Sequence, residues 1–143
     1  MIISEYLLSN IKCSNEERKD CFSSIFLIMD FAKIATKRGL LSLEPMLDKL
    51  EDRFLAKGLQ MIADGVDPEI VSDVLQTTVL ADGLKGKELL DKLIIITGVL
   101  SIQSGDTPFF VEQKLISLLG VEIFTEWEKI KDEGNIDISI DLE

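Results

Sequence analysis

The stretch Leu93-Ile94-Ile95-Ile96-Thr97-Gly98-Val99-Leu100-Ser101-Ile102 decides the fold, because it is the longest apolar run in the 143-residue chain. Its ten residues suit a buried helix or strand and fall short of the roughly 18 that a membrane-spanning helix needs. The helical pattern that contains this run begins earlier, at Lys85 or Gly86, so we expect one long helix over 86–102. Since its second half is apolar nearly all round, we predict that this helix lies at the centre of a helical domain, without insertion into a membrane.

Two turns of one design flank this helix. Gly65-Val66-Asp67-Pro68 and Gly105-Asp106-Thr107-Pro108 each place a glycine, then a capping residue, then a proline at the first helical position. We therefore expect Asp67 and Thr107 to cap helices over 69–81 and 109–119.

Helix signals continue towards both ends of the chain. Ser14 stands three residues before Glu17, the spacing of a capping box, and Gly39 is a natural helix end. Ser42 and Asp52 are the predicted caps of two further helices. In addition to the central helix and the two helices that follow the similar turns, the sequence predicts helices over residues 15–38, 42–50, 53–64 and 121–131. The sequence thus predicts an all-α fold, a compact single-domain bundle of about six or seven helices over residues 1–131.

The C-terminal tail, residues 132–143, departs from the helical pattern. Ile136-Asp137-Ile138-Ser139-Ile140-Asp141-Leu142 alternates apolar and polar residues, as strands do, and the tail holds five acids and no base. Three interpretations stay open: a solvated acidic tail, an extended segment that docks on a partner or a groove, and a strand that pairs with a second copy in a homodimer.

The amino-acid composition argues against several classes of partner and of functional site. The 26 acidic residues against 15 basic ones give a net charge of −11, which argues against nucleic acid or an anionic membrane surface as the main partner. The sequence has no histidine, and its two cysteines, Cys13 and Cys21, cannot supply a structural zinc site. We expect no catalytic residue, no cofactor and no metal. Residues 1–10 lack the basic region of a signal peptide, so we predict a cytoplasmic protein with reduced thiols.

Two clusters of charge are candidates for binding. Asp64, Asp67 and Glu69 surround one turn, where capping and the helix dipole explain them, and a carboxylate-dependent enzyme is the alternative. Lys37 and Arg38 end the early helix, a position that the macrodipole favours for bases. With Glu44 just beyond the turn, this second cluster is also a candidate patch for recognising a protein partner.

The run Ala32-Lys33-Ile34-Ala35-Thr36-Lys37-Arg38-Gly39-Leu40-Leu41-Ser42-Leu43-Glu44 resembles the cytoplasmic segment of the flagellar stator family MotA. There, a helix rich in alanine and basic residues leads into Gly-Leu-Leu-Ala-Leu-Glu. Residues 54–69 are similar to the family's Phe-Leu…Gly-Leu…Asp-Gly-x-Asp-Pro-Glu stretch, and residues 98–108 resemble the juncture after its last membrane helix. The resemblance covers about residues 31–78 and 94–119.

This resemblance implies a rotor-facing surface. In the family, a basic residue before the Gly-Leu-Leu turn and the glutamate after it are implicated in charge contacts with the rotor protein FliG. Glu44 matches the glutamate, whereas the family's arginine falls at Thr36, beside Lys37 and Arg38. The family's four membrane helices have no counterpart in the sequence, so ion conduction is not implied.

The combined prediction is a soluble, non-catalytic protein-interaction module that binds a flagellar rotor or stator component. Its contact residues are predicted to be Lys37, Arg38 and Glu44, supported by Asp64, Asp67 and Glu69. The alternative is a self-assembling helical protein, unrelated to motility, that dimerises through its tail.

Overall fold

The computed structural model describes residues 3–133, which form eight α-helices and two 3-10 segments without a β-strand. The helices are α1 (Glu5–Ser9), α2 (Asn15–Lys19), α3 (Phe22–Arg38), α4 (Arg53–Ala63), α5 (Pro68–Asp82), α6 (Gly86–Gln103), α7 (Pro108–Ser117) and α8 (Phe124–Glu133). The 3-10 segments are Leu40–Lys49 and Val121–Ile123. The all-α prediction is confirmed, and the helix count in this range is slightly above the predicted six or seven.

Two differences at the start of the chain account for the higher count. The short helix α1 was not predicted, and its N-cap residue, Ser4, makes no side-chain capping bond. The single helix predicted over 15–38 is wrong, because the chain breaks at Asp20 and Cys21 into α2 and α3. Helix α2 buries no side chain, whereas Cys21 and Phe22 are buried, so the break between the helices lies where the chain enters the core.

The short helix predicted to start at Ser42 is replaced by the 3-10 segment Leu40–Lys49. The Ser42 hydroxyl donates to the Gly39 carbonyl at 2.6 Å and caps no helix. Pro45 lies inside this segment, where its ring and missing N–H disfavour a regular α-helix. The segment still buries Leu43 and Leu47, which fix it on the core.

The other predicted caps form as expected. Glu17 N donates to Ser14 Oγ and Ser14 N donates to Glu17 Oε1, both at 3.1 Å, which completes a capping box. Asp52 accepts from the first turn of α4, and Thr107 accepts from Phe110 N at the start of α7. Local hydrogen bonding therefore sets these helix starts.

Helix α6 is the centre of the molecule, as predicted. Every residue from 93 to 102 is buried, and α3, α4, α5 and α7 all pack on this helix. Glycines allow the closest approaches: a Cβ on Gly98 would lie 2.5 Å from Ile28 Cγ2 of α3, and one on Gly58 of α4 would lie 3.0 Å from Val99 Cγ2. The backbones are therefore closer than larger residues would permit.

Helices α4 and α6 run in the same direction. Lys92, in the first half of α6, places its Nζ 5.1 Å from the ring centre of Phe54 near the start of α4. Gln103, the last residue of α6, donates from Nε2 to the Val66 carbonyl, just beyond the end of α4, at 2.6 Å. Because α5 and α7 begin directly after these ends, both start at the same end of the bundle.

The last part of the described chain packs through aromatic rings. The helix predicted over 121–131 is instead a 3-10 turn followed by α8, which continues through Asp132 and Glu133 into the range assigned to the tail. Trp127 of α8 is buried, with ring centres 5.2 Å from Phe22 and 4.6 Å from Phe26. The strand-like pattern over 136–142 and the tail-mediated dimer lie outside the described residues.

Candidate functional site

The predicted basic residues lie at the end of α3. Lys37 and Arg38 occupy its last turn, and both side chains are exposed. Gly39 ends the helix with a φ of +87°, a conformation that favours glycine, while its N–H still bonds the Ala35 carbonyl at 2.8 Å. Within residues 3–133, neither basic side chain forms an ion pair. The two charges are therefore available to a partner.

Glu44 is brought to the end of α4 by a residue that the sequence did not single out. Gln60 Nε2 donates to Glu44 Oε2 at 3.3 Å and to Asp64 Oδ1 at 2.9 Å. Glu44 and Asp64 are both exposed, so one amide holds two carboxylates side by side at the surface. The spacing of Gln60 and Asp64, four residues apart on one helix, was the only local signal for this contact.

Asp67 and Glu69 have different roles. Asp67 Oδ1 accepts a hydrogen bond from Glu69 N at 2.9 Å, which confirms Asp67 as the cap of α5. This carboxylate therefore already has a partner within the fold. The Glu69 side chain is exposed, and no hydrogen bond or ion pair to it occurs in the described part of the chain. Of the predicted residues at this turn, Glu69 is thus the one with a free charge.

We call Lys37, Arg38 and Glu44, with Gln60 and Asp64, the charged corner. It consists of an exposed basic pair at a helix C-terminus, followed by an exposed acid that a second helix holds in position. The partial negative charge of the helix end stabilises the two bases. The corner presents exposed bases and an exposed acid, which suit the recognition of a partner of complementary charge.

Nucleophilic chemistry is disfavoured at Cys21. Its side chain is 1% exposed, and burial, with a smaller contribution from the nearby Asp91 charge, raises the pKa of the thiol to about 12. At neutral pH the sulfur is therefore a protonated thiol in the core. Across residues 3–133, no group of three or more Cys, Asp and Glu side chains is arranged to hold a metal ion.

Two further acids, both missed in the sequence, have structural partners. Asp106 accepts from Ser101 Oγ and from Lys114, and the hydrogen bond from Lys114 is the main reason that the pKa of this carboxyl is lowered. Glu112 is 1% exposed and accepts from Trp127 Nε1 and Lys131 Nζ. These contacts close the α6–α7 turn and fix α8 on α7.

None of the helices in the described range combines the length and the apolar character required to cross a membrane.

The sequence is similar to Motility protein A of Borreliella burgdorferi, with 25% identity over 170 positions that cover 68% of this chain and 65% of that protein. It is also similar to Motility protein A of Bacillus subtilis, with 34% identity over 55 residues that cover 38% of this chain and 20% of that protein. The chain thus matches less than two thirds of the length of either relative. No family model matches the chain, and no solved structure matches it. The resemblance indicated by the motifs is confirmed.

Proposed function

We propose, from the similarity to Motility protein A, that this chain is a stator-related protein-interaction module without catalytic activity. Its partner is a protein of the flagellar motor, and its place of action is the cytoplasm. The observation that carries the proposal is the charged corner, where Glu44 is exposed, accepts a hydrogen bond from Gln60, and lies one turn segment beyond the exposed Lys37 and Arg38 in the chain.

The geometry of the corner supports a role in specificity. Charges at the rim of an interface steer encounter and reject partners of the wrong charge more than they add affinity. Because Gln60 restrains Glu44, less side-chain entropy is lost when a partner base binds it. Asp64 supports the corner through the same amide, and Asp67 supports it indirectly, since it caps the helix that follows.

The test is binding to purified rotor protein FliG, the partner that the family resemblance implies. We expect Lys37→Glu/Arg38→Glu and, separately, Glu44→Lys to slow association, with a loss that shrinks as salt is added. The matched control is Lys85→Glu/Lys129→Glu, which reverses two exposed charges elsewhere on the surface. Biolayer interferometry gives the association rates.

Two results would contradict the proposal. One is undiminished binding after charge reversal at the corner, and the other is an equal loss in the control variant. In either case the corner is not the contact surface.

The second candidate is a structural protein that dimerises through its tail, favoured by the alternating pattern over 136–142. Light scattering of the full chain and of a chain ending at residue 133 separates the two functions. A dimer that persists after truncation rejects the role of the tail.

A further inference from the structure

A groove runs along the surface between α5 and α7, with α6 as its floor. Its volume is about 620 Å³, and most of its wall is apolar. Leu100 and Ser101 of α6 form the floor, and Ser4 closes one end, where its N–H donates to Gln76 Oε1 of α5 at 2.9 Å. We call this cavity the α5–α7 groove.

The polar groups of the floor and of the α7 side already have partners. Ser101 Oγ donates to Asp106 Oδ2 at 2.6 Å, and Ser104 Oγ donates to the Ser101 carbonyl at 3.0 Å. The ammonium group of Lys114, on the α7 wall, pairs with the same Asp106 carboxylate. The positive charge that Lys114 brings to the groove is therefore neutralised within the fold.

The α5 wall carries the opposite charge without compensation. Glu69 and Asp73 line the groove and are exposed, and neither side chain forms a hydrogen bond or an ion pair with the described residues. Their separation by four positions places both carboxylates on one face of α5, with Cβ atoms about 5–6 Å apart. An occupant must therefore combine apolar surface for the floor with positive charge for this wall.

We propose that the α5–α7 groove binds an arginine-bearing segment of a protein partner. The guanidinium group presents a planar fork of N–H donors that matches a carboxylate, and its methylene stem is apolar enough to lie over Leu100. The chain's own residues 132–143 are the wrong occupant for this wall, because they hold five acids and no base.

The groove is a second surface, separate from the charged corner, and none of the residues that line it belongs to that corner. Charge reversal at Lys37, Arg38 and Glu44 distinguishes this inference from the proposed function. This change is expected to leave groove binding unaltered and to weaken binding to the rotor protein.

The experiment uses the full chain and a fluorescein-labelled, twelve-residue amphipathic peptide with leucines on one face and two arginines four residues apart. A matched peptide carries citrulline in place of both arginines, which keeps the shape and removes the charge. The protein variant is Glu69→Gln/Asp73→Asn, and its control is Asp48→Asn/Asp82→Asn, which removes two exposed charges outside the groove. Anisotropy gives Kd, and amide shifts in NMR spectra give the location.

We expect the arginine peptide to shift the amides of Leu100, Ser101 and Ser104. The Glu69→Gln/Asp73→Asn variant and the citrulline peptide should each raise Kd roughly tenfold, whereas the control variant should change it less than about twofold. Added salt should weaken binding of the arginine peptide to the unaltered chain.

The inference would be overturned by equal affinity for the arginine and citrulline peptides, by shifts confined to residues outside the groove, or by no binding at about 1 mM peptide. Displacement of the peptide by an equal concentration of spermidine would also overturn it, since the groove would then accept free polyamines.

Discussion

Trp127 donates a 2.7 Å hydrogen bond from Nε1 to Oε2 of Glu112, a carboxylate that is almost completely excluded from solvent. Lys131 Nζ contacts the same oxygen at 2.9 Å and supplies the compensating charge. The hydrogen-bond donors to this buried acid on α7 thus both come from α8, and the position of α8 depends on it.

Replacing Glu112 should destabilise the fold. Glu112→Gln keeps an acceptor for Trp127 and removes the charge that Lys131 faces, and we expect the free energy of unfolding to fall by about 1–3 kcal/mol. Urea denaturation measures this change. The exposed Glu51→Gln is the control and should stay within about 0.5 kcal/mol. Equal stability of the two variants would mean that Glu112 does not fix α8.

The pairing of Lys131 with Glu112 should make the stability of the fold depend on pH in the alkaline range. Burial opposes the lysine charge, but the hydrogen bond and the attraction of Glu112 outweigh it, so the pKa of Lys131 is raised. The stabilisation is present below the ordinary lysine pKa of about 10.4 and is lost as pH rises through the higher folded value. We expect the stability difference between the unaltered chain and Lys131→Met to shrink above that pH in urea titrations. A constant difference would contradict this.

Asp106 should contribute to loss of stability in acid. The hydrogen bonds from Lys114 and then Ser101 lower the pKa of its carboxyl, so its stabilisation is present above the unfolded value of about 3.9. It is lost as pH falls through the lower folded value. Thermal melts from pH 7 to 2.5 should therefore show a smaller decrease in Tm for Asp106→Asn than for the unaltered chain. Parallel curves would exclude this contribution.

Gly98 should not tolerate alanine. The added Cβ would lie 2.5 Å from Ile28 Cγ2, and we expect a net loss of about 1–3 kcal/mol despite the better helix propensity of alanine. Gly58→Ala is the matched comparison, since its Cβ would lie 3.0 Å from Val99 Cγ2, and it should cost less. Denaturant melts rank the two variants, and Gly98→Ala should cost less in an Ile28→Ala background, because that change removes Cγ2. An equal cost in both backgrounds would mean that the helices shift apart instead.

The two cysteines should differ in reactivity. Cys21 is buried with a pKa raised to about 12, whereas Cys13 is partly exposed. Ellman's reagent at pH 8 should therefore label one thiol in the native protein and the second only after denaturation. Cys13→Ser should then remove the native reaction. Rapid labelling of two thiols in the native protein would contradict the burial of Cys21.

The sequence predicted the features that depend on neighbouring residues. The caps at Ser14, Asp52, Asp67 and Thr107 form within a few positions of each side chain, so a short window contains all the information. The central helix was equally visible, because a segment that is apolar nearly all round needs partners on every side.

Features that depend on distant residues were missed. Nothing in the pattern around Gln60 indicates that Glu44, sixteen residues away, would reach its amide. Glu112 belongs to a helix whose other buried residues are apolar or proline, and only the packing of Trp127 and Lys131 explains why an acid is tolerated there. The pairing of the corner residues and the α5–α7 groove arise from helix packing, which a single sequence does not encode locally.

The enclosure of α6 has a consequence for the timescale of hydrogen exchange. Because α3, α4, α5 and α7 all bury surface against it, no one of them can leave without opening the centre to water. The amides of the middle of α6 should therefore exchange only through global unfolding, whereas those of the five-residue α1 and α2 should exchange by local fraying. The fold would then be one cooperative unit with surface helices of lower protection.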